Sequence, residues 1–257
     1  MKFAIDRIAY FTIARKEIHR ILRIWTQTLL PPVITQSLYF IIFGAFLGGR
    51  IGEMNGVPYM TFLVPGLVLM AMIVNAFSNV AGSFFGAKFQ KSIEEIIVAP
   101  VSPSTILAGY CTGGIVRAVM VGAVIYGVSV FFVPPTITHV WAIVTFGLLT
   151  SIIFSLLGLL NGLYARKFDD VSIVPTFVLT PLTYLGGVFY ELDRLPDAWQ
   201  IVVRINPLAY MIDGFRYGFS GHADTPVALS AAVLVVLTVV LTIVAWQLLR
   251  RGMGMKT

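Results

Sequence analysis

One cysteine, three histidines and twelve acidic residues are the whole supply of thiols, imidazoles and side-chain carboxylates in this 257-residue chain. The lone Cys111 excludes an internal disulfide. His19, His139 and His222 are scattered, and no His/Cys/carboxylate cluster has metal-site spacing. There is no glycine-rich phosphate loop ending in Gly-Lys-Ser or Gly-Lys-Thr, so the chain does not bind ATP by that route. Charged residues are only 12% of the total, and every acidic one lies outside the long apolar runs. Proton-driven transporters commonly carry carboxylates or histidines inside their spans. Their lack argues against proton coupling, while leaving open sodium held by backbone oxygens. A membrane-embedded enzyme is disfavoured for a similar reason: no catalytic constellation sits in or beside the runs.

What the chain has instead is apolar length. Hydrophobic residues make up 58%, with a mean hydropathy of +0.88. Charge-free windows cover 25–49, 54–87, 96–116, 118–165, 171–190 and 225–249. A span takes roughly 20 apolar residues, so these windows predict six helices. Span 1 falls at 24–47, with Pro31-Pro32 bending its first turns, and span 2 at 59–86. Span 3 starts near Gly113 and turns at Val133-Pro134-Pro135 into span 4, which ends on Gly158, Asn161 and Gly162. Span 5 is 171–190, and span 6 is 226–249. The expected fold is an all-α integral membrane protein in one domain, 1–257: an amphipathic helix (1–23), a six-span bundle (24–249) and a short tail (250–257).

Ahead of span 1, Ala4, Ile8, Phe11, Ile18, Leu22 and Trp25 share one helical face, while Lys2, Asp6, Lys16, Glu17, Arg20 and Arg23 share the other. That pattern predicts an interfacial helix, or else a basic stop that orients span 1. Charges recur through Arg23, so no cleavable signal is expected. Most Lys and Arg fall at the N-terminus, in loops 2–3 and 4–5 and at the C-terminus; Arg50, Arg194, Arg204 and Arg216 fall on the opposite side. By the positive-inside rule both termini are cytoplasmic. The net charge of +6 is a topological signal, not a mark of nucleic-acid binding.

Four places carry more than a span needs. Span 5 holds Pro175, Pro181 and the Gly186-Gly187 pair, and runs on to Gly221 too apolar for a solvated linker and too charged to cross. Irregular backbone at membrane depth survives only where protein buries it or it lines a watery cavity, and such breaks often sit at transport sites. A re-entrant outer segment between helices 5 and 6 is expected. In loop 2–3, Ser92-Ile93-Glu94-Glu95 matches a capping box, predicting a short helix from Ser92 closed by Pro100 and Pro103. Ile93, Ile96 and Ile97 form its apolar face, and Lys88, Lys91, Glu94 and Glu95 stay wet. It either presses on a partner or packs on its own bundle. In span 2, Asn75, Asn79, Gly82 and Gly86 form a small polar stripe suited to helix packing or to a pathway. Arg117 either snorkels to headgroups or reaches an inner vestibule. Thr176, Thr180 and Thr183 share a face of span 5, as do Thr28, Thr35 and Tyr39 in span 1. Their hydroxyls can line a path or bond backbone carbonyls near the prolines.

Two stretches carry a family resemblance that covers essentially the whole chain: IEEIIVAPVSPSTILAG (93–109) and PTFVLTPLTYLGGVFYELDRLPDAWQIVVRINPLAYMIDGFRYGFSG (175–221). The sequence resembles permease subunits of bacterial type-2 ABC exporters, including an enterobacterial inner-membrane transport permease. In the family's pattern a Gly-Gly break precedes a Leu-Pro turn and an Asn-Pro…Tyr…Asp…Arg run. Gly186, Gly187, Pro196, Asn206, Pro207, Tyr210, Asp213 and Arg216 fill those places, and the resemblance implies an outer gate. It further implies a non-catalytic permease in the bacterial inner membrane. Two copies would form one pathway, and two separate ATP-binding subunits would carry ATP and magnesium. The loop helix becomes a coupling helix, with Phe89, Lys91, Ser92, Ile93, Glu94 and Glu95 at the ATPase contact. Spans 1 and 5 face the route, favouring Thr28, Thr35, Tyr39, Thr176, Thr180 and Thr183 as its lining. A secondary transporter or channel working without an ATPase is the alternative. The substrate, be it lipid, glycan or drug-like, is not legible.

Overall fold

In the computed structural model, residues 2–54, 56–191 and 195–252 are described; the side chains of 2, 3, 45, 94, 96 and 97 are outside that set. The fold is helical apart from a two-residue ribbon, Glu53–Met54 paired antiparallel with Val57–Pro58. Among the described residues, five helices are long and apolar enough to cross a membrane: Trp25–Ile51, Tyr59–Phe89, Pro103–Ser129, Val140–Tyr164 and Val227–Arg250.

Helix α1 (Lys2–Arg23) is separated from α2 (Trp25–Tyr39) by a break at Ile24. A π-helical stretch (Phe40–Leu47) and α3 (Gly48–Ile51) extend α2. Then come α4 (Tyr59–Phe89), α5 (Ser92–Val98), α6 (Pro103–Ser129) and α7 (Val140–Tyr164). The stretch read as span 5 is broken into α8 (Phe168–Val174), a π turn (Pro175–Leu179) and α9 (Thr180–Tyr184). Pro175 and Pro181 lack amide donors, so the ladder there loosens to wider turns. The stretch stops at Leu185–Gly187, short of Tyr190 and of the roughly 20 residues of a perpendicular crossing. Gly187 makes the turn with φ +83°, a conformation other residues rarely adopt. Helices α10 (Asp197–Ile205) and α11 (Pro207–Ser220) follow, and α12 (Val227–Arg250) ends the bundle.

Helix α4 is the axis of the core, buried along most of its length between α6, α7 and α11. Small residues bring the backbones together. A Cβ on Gly158 would stand 2.4 Å from the Phe77 carbonyl oxygen, and one on Gly162 2.9 Å from that of Ala81. Gly114 of α6 fits against Ser155 and Val80. The span-2 stripe does something else: nothing lies within 4 Å of a Cβ on Gly82 or Gly86, so those glycines face open space rather than a packed neighbour.

Three local expectations are corrected. Ser102 caps α6, its Oγ accepting from Thr105 N at 3.3 Å with Pro103 in the first turn. The helix therefore starts well before Gly113, and Arg117 sits near its middle, about 21 Å from its start. Ser92 is not an N-cap. Lys91 occupies that position with φ +59°, and Ser92 Oγ donates to the Ala87 carbonyl at 3.2 Å. The polar face of α1 is also not wholly wet. The helix runs alongside the first half of α6 in the same direction, Asp6 against Ser102 and Thr105, Ile13 against Gly109, and Glu17 against Gly113. Glu17 is fully buried, while Ile8, Phe11, Leu22 and Trp25 are exposed, as the sequence predicts for the apolar face.

Candidate functional site

A cavity of about 400 Å³ lies between α2, α4, α6 and α9. Thr35 and Tyr39 reach it from α2, Thr180 and Tyr184 from α9, Asn75 from α4 and Arg117 from α6. The hydroxyls of Tyr39 and Tyr184 meet at 2.6 Å, and both rings pack on Phe189. Of the six expected lining residues, Thr35, Tyr39 and Thr180 are therefore together. Thr28 and Thr183 are buried inside the protein and Thr176 faces away from the chain, so these three do not border this cavity. Backbone repair also operates: Thr180 Oγ1 donates to the Pro175 carbonyl at 3.0 Å, and Thr183 Oγ1 to that of Leu179 at 2.6 Å. Tyr184, one helical turn beyond Thr180, was missed, although the same i, i+4 spacing would have found it.

On the far side of α9 is an apolar crevice of about 410 Å³, bordered by Phe154, Leu157, Val178, Leu182, Met211 and Leu237. The short α8–α9 segment thus has a polar face and an apolar one.

Below the polar cavity is a network that sequence reasoning did not assemble. Arg20 Nη2 donates to Glu17 Oε2 at 2.7 Å and to Asn79 Oδ1 at 2.9 Å; Ser83 Oγ donates to Glu17 Oε1 at 2.6 Å. One turn further along α4, Asn75 Oδ1 accepts from Arg117 Nε at 3.1 Å, and Asn75 Nδ2 donates to the Ala71 carbonyl. The signal was present in the i, i+3 pair Glu17/Arg20 and the i, i+4 pair Asn75/Asn79. Only the pairing of α1 with α4 and α6 joins them.

Around α5, Phe89 is exposed and stacks edgewise on Phe168. Lys91 and Glu95 are exposed, and Ser92 is half-buried. Ile93 turns inward into the buried cluster that also holds Phe84, Tyr110 and Leu163, so it anchors the helix and does not offer an outward contact. Glu94's side chain lies outside the described residues. Lys88, expected to be wet, is buried: its Nζ donates to the Leu163 and Ala165 carbonyls at 2.9 and 3.1 Å, where the end of α7 leaves acceptors unused. At the start of α8, the amides of Arg166 and Lys167 donate to Asp170 at 2.8 and 3.0 Å, which holds its carboxyl below the usual range.

The residues expected to form an outer gate make a series of local contacts. Asn206 Oδ1 accepts from Leu208 N at 3.1 Å, capping α11 with Pro207 in its first turn, and its Nδ2 donates to the Leu182 carbonyl at 2.7 Å. Arg216 Nη2 donates to the Gly187 carbonyl at 2.6 Å, with the guanidinium 3.9 Å over the Phe62 ring. Asp213 accepts the amides of Asp224 and Thr225, Tyr210 donates to the Arg204 carbonyl, and Pro196 precedes α10. Gly186 lets Ile212 and Leu208 approach; a Cβ there would stand 2.8 Å from Ile212. Helix α11 runs antiparallel to α7, Gly218 beside Ile143 and Gly214 beside Phe146. Leu208 and Met211 share the apolar crevice with Ile153 and Phe154, halfway along α7.

The ABC-2 type transporter family matches residues 8–220. The chain is 55% identical, over 97% of its own length and 98% of the relative's, to the inner membrane transport permease YadH of Escherichia coli (strain K12). It is 30% identical to nodulation protein J of Rhizobium meliloti (strain 1021), over 83% of this chain and 82% of the relative. Nodulation protein J of Rhizobium leguminosarum bv. viciae is 29% identical over 83% of each.

Proposed function

The chain belongs to the ABC-2 type transporter family, and from that premise we propose that it is the permease subunit of an ATP-driven exporter of the inner membrane. The cavity joining α2 to α9 through Tyr39 and Tyr184 is the observation that carries this reading. It puts a polar wall between two helices that each bury few residues in their own bundle, where a second copy completes a passage. Two copies form the pathway, with Thr35, Tyr39 and Thr180 on its wall. Two separate ATP-binding subunits, holding ATP and magnesium, dock around α5 through Phe89, Lys91 and Glu95.

The α8–α9 stretch counts as the fifth of six spans, its shortness offset by tilt of the bundle or thinning of the bilayer. Helices α10 and α11 re-enter the membrane between spans 5 and 6, and both termini are cytoplasmic. Affinity purification of the tagged chain from its native membrane tests the core of this. A separate ATPase chain in stoichiometric amount is the expected companion. Transport by the purified chain in liposomes without any ATPase would replace the exporter with a secondary transporter or channel.

A further inference from the structure

The three guanidiniums that reach into this bundle, two half-buried and one buried, are not treated alike. Arg20 is paired with Glu17 and Asn79, and Arg216 is held by the Gly187 carbonyl and the Phe62 ring. Among the described residues Arg117 bonds Asn75 alone, at one nitrogen. Among the described residues no carboxylate pairs with it, and its terminal nitrogens carry no protein hydrogen bond while the side chain borders the cavity. Arg20, of the same sign, binds Asn79 one turn along α4 from Asn75. No carboxylate lines the cavity either; its polar wall is made of hydroxyls and amides such as Thr35, Tyr39, Ser78 and Gln27.

A cation in the middle of a membrane helix is costly unless something of opposite charge or good acceptor capacity meets it. Asn75 fixes the guanidinium by Nε, which leaves the two-pronged terminal edge free for an oxyanion. Asn75 is itself tied to the Ala71 carbonyl, so the prong is pre-oriented. Apolar Met70, Val74 and Pro32 flank the polar wall, which suits the junction between a charged head and an apolar body.

We propose that the cavity is an oxyanion site, taking the phosphate-type group of the transported molecule on Arg117. This deepens the permease reading and rests on it. The phosphate could belong to a lipid or arrive as a free ion, and the two are separable.

The test uses the full-length chain in neutral detergent, with thermal unfolding followed by tryptophan fluorescence. Short-chain phosphatidic acid, the matching diacylglycerol and inorganic phosphate are titrated in turn. Phosphatidic acid should raise the midpoint in the wild type, and diacylglycerol should not. Arg117→Gln should weaken the response roughly 10- to 100-fold, the range for losing one charge-assisted contact. Arg250→Gln, at the end of α12, should leave it intact. A shift with inorganic phosphate that depends on Arg117 assigns the site to free anions as well; its absence restricts the site to lipid phosphate. If Arg117→Gln does not fold, Asn75→Asp supplies the missing carboxylate internally and should abolish binding in a folded protein. Equal response to the charged and neutral lipids, or an unchanged response in both variants, overturns the proposal. The permease reading is judged separately, because both variants should still co-purify with the ATPase.

Discussion

The phenolic oxygens of Tyr39 and Tyr184 lie 2.6 Å apart, bridging two helices 145 positions apart in the chain. This is the direct polar tie between α2 and α9, made on the wall of the central cavity. A hydrogen bond of this kind contributes about 0.5–1.5 kcal/mol. Tyr39→Phe and Tyr184→Phe should each lower stability by that order. The double variant should be hardly worse than either single one, because both remove the same bond. Thermal midpoints of the four proteins in detergent check this, and additive losses would show that the hydroxyls act independently.

Orientation is tested on the two ends of the bundle. In a Cys111→Ser background, Asp197→Cys at the start of α10 should react with an impermeant maleimide in intact spheroplasts. Lys91→Cys, beside α5, should react only after lysis. Labelling of Lys91→Cys in intact cells would invert the topology and remove the ATPase-docking role together.

Burial decides what Glu17 is worth. Its buried carboxylate pairs with a half-buried Arg20, so Glu17→Ala leaves that cation held by Asn79 alone, a loss of about 1–3 kcal/mol. Glu17→Gln with Arg20→Gln should recover much of that by removing both charges. A mild phenotype for Glu17→Ala, read as yield of folded protein and thermal midpoint, would put this residue back on a wet helix face.

Around α5, outward and inward residues should fail differently. Glu95→Lys, or Phe89→Ala, should insert and fold normally but lose substrate stimulation of the co-purified ATPase. A contact pair buried in such an interface typically contributes about 2–5 kcal/mol, and an exposed one far less. Ile93→Asp should instead reduce folded protein, since Ile93 is buried in a hydrophobic cluster of the core. Normal stimulation in both outward variants would make α5 an ordinary loop helix.

How much of this was readable from residue order depends on which force set each feature. The positions of the second, fourth and sixth spans and the exposed apolar stripe of α1 follow from hydropathy and periodicity, both written in neighbouring residues. Glu17 was not readable. A charge on an amphipathic helix reads as solvated, and only the close approach of Gly113 and Ser83 makes a dry pocket for it. The start of α6 was misplaced because the apolar run obscured the stronger local signal, Ser102 followed by Pro103. The stripe of Asn75, Asn79, Gly82 and Gly86 illustrates the same limit. Composition shows a special face, but whether a neighbour or a cavity occupies it is settled by the other helices.

The meeting of α7 glycines with α4 carbonyls has a mechanical consequence. At Gly158 and Gly162 no side chain stands between the two backbones, so a slide of one helix along the other would drive bulkier α7 residues into the α4 carbonyls. Lys88 rivets the same pair at one end by gripping the last carbonyls of α7. These two helices therefore behave as a stiff chassis. The travel needed for a cargo to pass must come from the parts hung on its sides: α2, with its prolines and π turn, and the broken α8–α9 stretch. On the proposal that an ATPase docks at α5, a push there is expected to turn these two helices together and to be taken up as bending at α2 and α8–α9.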